Sequence, residues 1–297
     1  MVEFSAYNET IKKVMDMPRK RVLSGRRIAM SIGSVIATKR KALGMTQKEL
    51  AAKLSVSFQA VSKWEQDAAH PDVDLLPALA ELLGTSVDAL VGYRSPILAD
   101  YDERYQSAGF YWGIEPNRLC YDIMRLRPPV KPYKVLDIGC GEGKDAVFLA
   151  RNGYRVSAID ISEIGLEKGR MLAEQCNTHV DFFKADIADY RLAEKYDIIL
   201  SSGVFHFLKP ELREEVTANL KKFTNEGGIH AINVFVAKPY VKRAPGKKGE
   251  RYEWKSGELF TCYHDWYMHR IDEELFDCNS GGVPHQHCMD IMVAEKR

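Results

Sequence analysis

Long apolar runs are missing from this 297-residue chain. None approaches the roughly 20 residues that cross a bilayer, and the opening MVEFSAYNETIKKVMDM lacks the apolar centre of a secretory signal, so a cytoplasmic protein with no membrane partner is expected. Cysteine is also scarce. The six residues, at 120, 140, 176, 262, 278 and 288, include no CxxC pair, so neither a disulfide framework nor a four-thiolate zinc site is signalled. Low-complexity tracts and internal repeats are absent, which sets aside solenoids and propellers. Even net charge is nearly missing, at +1, but that value averages unlike parts.

Residues 11–63 hold thirteen Lys or Arg against two acids, Asp16 and Glu49, whereas residues 94–297 hold 29 basic and 31 acidic side chains. One end of the chain suits a polyanion and the other does not. Length alone suggests two domains. The pattern divides the chain into a basic N-terminal arm (1–30), a bundle of short helices (31–93), a joint with a lid helix (94–133) and a domain of alternating strands and helices (134–297). The arm ends in RKRVLSGRR and reads equally as a flexible tail or an extra helix.

In the helical segment, Ile32, Val35, Ile36 and Leu43 form one apolar stripe, closed by Gly44. Thr46 with Glu49 forms a capping box ahead of a helix whose inward face is Leu50, Ala51 and Leu54. Ser57 then caps a third helix carrying Phe58, Val61 and Trp64. The run MTQKELAAKLSVSFQAVSKWEQ resembles the helix-turn-helix of the Cro/repressor (XRE) family: it has the Thr46-Gln47 start, the Ala51-Ala52 pair, the turn Ser55-Val56-Ser57 and the closing Trp64-Glu65. The resemblance implies double-stranded DNA as partner, read as a homodimer. Thr46, Gln47, Ser57, Phe58, Gln59, Ala60 and Lys63 would then lie at the DNA, with Gln59 suited to adenine and Lys63 to guanine or phosphate. Lys39, Arg40, Lys41, Lys48 and Lys53 would hold the backbone.

Beyond Lys134, short apolar runs alternate with helical patterns, and a parallel sheet covered on both faces follows from that order. WYMHRIDEELF and CMDIMVAEK read as two paired strands that finish the sheet antiparallel. After the first strand comes Asp137-Ile138-Gly139-Cys140-Gly141-Glu142-Gly143. A glycine turn alone also suits nicotinamide or flavin. The acid on the strand, the D-x-G-x-G-x-G spacing and Asp160 at the end of the second strand together resemble the S-adenosylmethionine (SAM) motif of Rossmann-like class I methyltransferases. A mostly parallel seven-stranded sheet with an antiparallel last strand is therefore expected, preceded by the small all-α domain.

The resemblance implies roles for several positions: Gly139, Gly141 and Gly143 for close backbone approach, Asp137 at the methionine end, Asp160 with Ile161 beside it at the ribose, and Asp186-Ile187 at the adenine. VLDIGCGEGKDAVFLARNGYRVSAIDIS, YDIILSSGVFHFL and WKSGELFTCYHDW are similar to the tellurite-resistance (TehB-like) branch over residues 110–297, in which Arg118 would meet the SAM carboxylate. The acceptor should then be a small molecule or oxyanion bound outside the ends of strands four and five, by Ser202, Gly203, Phe205 and His206 under a lid of Tyr111 and Trp112. Phe205, His206 and Tyr111 are thus the candidate catalytic residues, His206 as base or anion ligand.

DNA methylation is disfavoured, because Ser201-Ser202-Gly203-Val204-Phe205 stands where an Asn/Asp-Pro-Pro-aromatic motif would be needed. The alternative to an enzyme is a transcription factor whose methyltransferase-like domain only senses SAM or a toxic ligand. Cys140 reads as packing. The tail FDCNSGGVPHQHC offers Cys278, His285, His287 and Cys288, either a soft metal or metalloid site or a hairpin turn with incidental polar residues; no metal is assigned to it. The loop AKPYVKRAPGKKGERYEWK is Lys-rich and reads as a solvated charge run or as attraction for an anion.

Overall fold

The computed structural model describes residues 31–85, 87–91, 96–241, 251–279 and 283–297. The basic arm, the middle of the Lys-rich loop and the tip of the tail hairpin lie outside these residues. The described chain forms two compact units that divide between residues 91 and 96. No helix among the described residues is long and apolar enough to cross a membrane.

The first unit is built from helices Ile32–Ala42, Gln47–Lys53, Phe58–Glu65, Leu76–Leu82 and Val87–Leu90. The capping box forms as read: Thr46 Oγ1 accepts the Glu49 N–H at 3.2 Å, and the Glu49 carboxylate accepts the Thr46 N–H at 2.7 Å. Ser57 caps the third helix by accepting the Ala60 N–H at 3.2 Å. Ile36, Leu50, Ala51, Leu54, Val61, Trp64, Leu79 and Leu83 close the core. Leu43 is not part of it. It follows the last helical residue as the C-cap and is 53% exposed, and Ala52 likewise faces outward.

Arg40 departs further from expectation. Its guanidinium is buried and takes Glu65 in a fork, Nε to Oε1 at 2.5 Å and Nη2 to Oε2 at 2.8 Å, while Nη1 donates to the Met45 carbonyl at 2.6 Å. Gln47 Nε2 donates to the same carboxylate at 2.8 Å. Arg40 and Gln47 therefore tie the first three helices together, and the Arg40 guanidinium, expected at the DNA backbone, is engaged inside the fold. Burial opposes ionisation of Glu65, but the hydrogen bonds from Arg40 and Gln47 outweigh it and hold the carboxyl below its usual range.

The second unit is a seven-stranded sheet in the order β3-β2-β1-β4-β5-β7-β6. Its strands are β1 Lys134–Ile138, β2 Arg155–Asp160, β3 Asp181–Lys184, β4 Tyr196–Ser202, β5 Thr224–Phe235, β6 Tyr267–Cys278 and β7 His285–Glu295. The first five are parallel; β7 runs antiparallel to β5 and to β6, as the paired tail strands predict. Neighbouring residues feed opposite faces. Val135 and Ile198 pack with Leu119, Ile123 and Phe148, whereas Leu136 and Ile199 pack with Val216, Trp254 and Met292. The edge strand β6 carries the consecutive acids Asp272, Glu273 and Glu274, with Arg270 clasped by Asp122 and Asp272, each at 2.6 Å, and by Glu274 at 3.1 Å.

Breaking a buried, forked ion pair strands the remaining charge, at a cost of about 3 kcal/mol. Glu65→Ala should lower amide-exchange protection of Ile36 and Val61 by about 100-fold at pH 7. Because the carboxyl is held below its unfolded value, the wild-type advantage should be present above about pH 4.5 and shrink as pH falls further. Unchanged protection at pH 7 would remove Glu65 from its place in the core.

Candidate functional site

Everything at the glycine turn begins with the backbone at the carboxyl ends of β1 and β2. The Gly139 and Cys140 N–H groups both donate to the Ile159 carbonyl, at 2.8 and 2.9 Å. Asp160 then closes the turn: Oδ2 accepts the Gly141 N–H at 2.8 Å and Oδ1 the Ser162 N–H at 2.9 Å. Gly139 and Gly141 have φ of +71° and +55°, the region that favours glycine. A Cβ at 139 would stand 2.1 Å from Val204 Cγ2, and one at 141 would stand 2.7 Å from Tyr105 Oη. Gly143 precedes the helix Lys144–Arg151. Cys140 is buried, which pushes its thiol up and suits packing rather than nucleophilic attack.

The electrostatics are dominated by acids. Burial pushes Asp160 up to about 6, against the pull of its backbone N–H donors. Asp137 is raised well above the usual carboxylate range, first by burial and then by Asp145; its Oδ2 has no hydrogen-bond partner among the described residues. Asp145 accepts the Asn117 N–H at 2.6 Å and pairs with Lys144 at 2.9 Å, and Glu142 pairs with Lys168 at 2.5 Å. Asp137 and Asp160 have no such cation in ion-pair range among the described residues.

Two segments of this unit cover the turn. The helix Pro96–Tyr105 places Tyr105 over Gly141, and its Asp102 accepts the Ser162 hydroxyl at 2.6 Å. Glu142 Oε2 accepts the Tyr111 N–H at 2.7 Å and the Trp112 N–H at 3.4 Å, so the aromatic pair is held from the glycine turn itself. At the end of β4, Ser202 Oγ accepts from Asn117 Nδ2 at 2.9 Å and from Asn233 Nδ2 at 3.1 Å. The sequence reading passed over Glu142, Asn117, Asn233, Tyr101 and Tyr105. Glu142 lies inside the glycine motif, but its partners Lys168, Trp112 and Tyr111 are 26, 30 and 31 residues away, and nothing local marks the asparagines.

The structure places the remaining candidates unevenly. Asp186 is exposed at the end of β3, with Oδ1 accepting the Ala188 N–H at 2.9 Å, and Ile161 is half-buried beside Asp160. Ile187 points instead into the core with Leu136, Ile159 and Leu192. Phe205 has no exposed surface: it fills the core, and its carbonyl accepts the Trp254 indole N–H at 3.0 Å. His206 is equally buried, its ring 4.1 Å from that of Phe207 and 4.6 Å from that of Phe235. Neither presents surface to an acceptor in this structure. Arg118 opens the helix Arg118–Leu126, exposed and 3.4 Å from Glu274.

A second charged group adjoins the cover. Arg104 lies 5.3 Å from the Tyr101 ring and 5.2 Å from that of Tyr111, whose hydroxyl accepts from Nη1 at 3.1 Å. Arg251 stands 5.6 Å from the Phe207 ring, and Tyr101 touches the same ring edge-on at 5.8 Å. Burial lowers Arg251 and pushes Tyr101 up to about 12, with both arginines acting on that phenol in the opposite direction.

In the helix-turn-helix unit, Phe58, Gln59 and Lys63 face outward, with Lys48 Nζ 5.9 Å from the Phe58 ring. Ala60 turns partly into the core, and Thr46 and Ser57 serve as caps.

A sheet in this order, with a glycine turn after β1 and acids closing β1 and β2, defines the Rossmann-like class I methyltransferase fold. The chain belongs to the family of the tellurite resistance protein TehB, whose model matches residues 118–281; residues 36–90 match the helix-turn-helix family. It is 30% identical over 154 residues to the Haemophilus influenzae protein named probable S-adenosyl-L-methionine-dependent methyltransferase TehB, covering 52% of this chain and 53% of that one. It is 31% identical over 172 residues to hemagglutinin 1 of Eikenella corrodens, 56% of each. The crystal structure of TehB from Haemophilus influenzae matches with a TM-score of 0.53 at 27% identity, over 60% of this chain and 61% of that one. A structure from work on conversion of a disulfide bond into a thioacetal group in echinomycin biosynthesis shares the fold, with a TM-score of 0.52 at 18% identity over 67% and 91%. The chain spans about half the length of the curated relatives it matches.

If Glu142 holds the aromatic cover, Glu142→Gln should speed amide exchange at Tyr111 and Trp112 by about tenfold, the loss of roughly 1.4 kcal/mol of charge-assisted bonding, while β1 and β4 stay protected. Equal exchange in both proteins would show that the cover is held by something else.

Proposed function

We propose that the chain is a SAM-dependent methyltransferase acting on a small anionic acceptor, joined to a DNA-binding regulator domain. The acid-rich cradle carries this reading. Asp137, Glu142, Asp145 and Asp160 gather around a glycine turn with two lysines, Lys144 and Lys168, an excess of acid that repels the pyrophosphate of a dinucleotide and suits a ligand bearing a sulfonium and an ammonium. The unpartnered Asp137 Oδ2 is the acceptor for that ammonium, Asp160 for the ribose hydroxyls and Asp186 for the adenine amine, with Ile161 and Ser202 along the same wall. Arg118 is the proposed partner of the methionine carboxylate; leaving Glu274 costs it little, since an exposed pair contributes only about 0.2–1 kcal/mol.

When bound, SAM supplies an activated methyl group, so the chain has to orient the partners and exclude water. Tyr105, Tyr111 and Trp112 provide the cover. Arg251, which has no carboxylate in ion-pair range among the described residues, draws an anion toward Phe207 and Tyr101, whereas Arg104 is tied to Asp100 at 2.8 Å and braces the aromatic rings. An acceptor that is already anionic brings its own lone pair, so no general base is assigned and the buried His206 takes a packing role. Soft oxyanions such as tellurite or selenite and thiolates are the acceptors to try.

Incubation with SAM and each acceptor should yield S-adenosylhomocysteine, and Arg251→Gln should raise KM for the anion at least about tenfold with SAM affinity unchanged. Tight SAM binding with no product from any acceptor would replace the enzyme by a SAM sensor. The carboxylate form of Asp160 is the one that accepts the ribose hydroxyls, and in the free site this group sits at about 6. SAM affinity should therefore be level above pH 7, fall as pH drops through 6, and be accompanied by proton release near pH 6. Calorimetry in buffers of different ionisation enthalpy measures both, and a flat profile from pH 5 to 8 would count against Asp160 as the ribose acceptor.

We propose further that the first unit binds double-stranded DNA as a homodimer, in a cytoplasmic setting, through the outward Phe58, Gln59 and Lys63. Its affinity should fall linearly with salt on a logarithmic scale, and Lys63→Ala should reduce that slope by about one if it meets phosphate. Binding indifferent to salt would exclude phosphate contacts.

A further inference from the structure

The β6–β7 hairpin continues past its neighbour. The last pairing of β7 with β5 is Met289 to Phe235, whereas β6 and β7 stay paired out to Cys278 and His285, which are direct partners. On this overhang the thiol of Cys278 and ring nitrogens of His285 and His287 all lie within 4.8 Å of one another. His285 and His287 are two apart on one strand, so they share a face.

Three features make this a ligand set. The His285 Nδ1–H donates to the Val283 carbonyl at 2.7 Å, which fixes the tautomer and leaves the Nε2 lone pair available. That Nε2 lies 2.9 Å from His287 Nε2, a separation that an N–H donated by His287 spans in the metal-free site and that a metal ion can replace by taking both lone pairs. His287 packs against the rings of Phe235 at 4.6 Å and Phe276 at 5.8 Å, an apolar shell of the kind that limits solvent access around a metal. Bonds of about 2.0–2.1 Å to nitrogen and 2.3 Å to sulfur place tetrahedral ligand atoms roughly 3.3–3.7 Å apart, within small side-chain rotations of the spacing here.

We propose that Cys278, His285 and His287 bind one divalent cation of the zinc class. Two imidazoles and a thiolate are borderline-soft donors that disfavour magnesium and calcium, and three protein ligands leave the fourth position open. The Phe235 ring, between His287 and His206, puts the centre beyond the carboxyl end of β5, on the side of the sheet where the glycine turn lies. The metal site stands whether or not methyl transfer does.

The test uses the full chain, reduced and stripped with chelator, titrated with zinc against a chromogenic chelator and with cobalt(II) as a spectroscopic probe. One equivalent should bind, with the intense visible bands of four-coordinate cobalt and a thiolate-to-cobalt charge-transfer band. Affinity should weaken as pH falls and protons compete for the imidazoles and thiol. Cys278→Ser should abolish the charge-transfer band, and Cys278→Ser and His285→Gln should each lower zinc affinity by at least the roughly 10- to 100-fold expected for a disturbed ligand shell. Both residues lie outside the core clusters, and unchanged circular dichroism and melting would confirm that the variants fold. Cys262→Ser, in the helical segment before β6, should change nothing. Failure to bind one equivalent, or a charge-transfer band that survives Cys278→Ser, would overturn the site.

Discussion

A buried carboxylate holding two backbone N–H groups is the constraint on which the second unit is organised. Two parallel strands that end side by side leave their following turns with donors pointing into a space that water leaves once it is covered. Asp160 satisfies the donors of Gly141 and Ser162 at once, and so sets the path of the chain into the helices that follow both strands. From that path come the direction of Glu142, the seat of Tyr111 and Trp112, and the approach of Tyr105. The cost is a charge kept out of water, visible in the raised value of Asp160 itself.

The same economy separates this cradle from other nucleotide-binding turns. A turn that receives phosphate offers bare N–H groups at a helix N-terminus. Here the Gly141 N–H is already engaged by the protein's own anion, and Asp137 adds a second carboxylate beneath it. The inner site is acidic, while the cation beside the cover that lacks a carboxylate partner among the described residues is Arg251, at the Phe207 ring.

Legibility followed the range of the interactions. Capping boxes, glycine turns and strand-helix alternation are written within a few residues, and Thr46, Ser57, Gly139 and the closing antiparallel pair stand where the sequence puts them. What depends on distant partners was not readable. Arg40 looks like any basic surface residue until Glu65, 25 positions later, folds against it. Phe205 and His206 follow β4 at the expected place, but the chain turns them inward, and the aromatic surface at the rim comes instead from Phe207. Glu142 hid in plain view because motif spacing draws attention to glycines, and the residue between them shows its use only when the cover is present.

The acidic run Asp272-Glu273-Glu274 on β6 bears on assembly. That strand is an open edge, with unpaired backbone groups that invite another strand. Its acids are tied down, Asp272 and Glu274 by Arg270 at 2.6 and 3.1 Å and Glu273 by Lys238 at 2.7 Å, so an added strand would have to compete with these ion pairs for the edge. The sheet thus ends in a strand whose charged side chains are already committed to partners within the chain, which blunts the edge against an added strand.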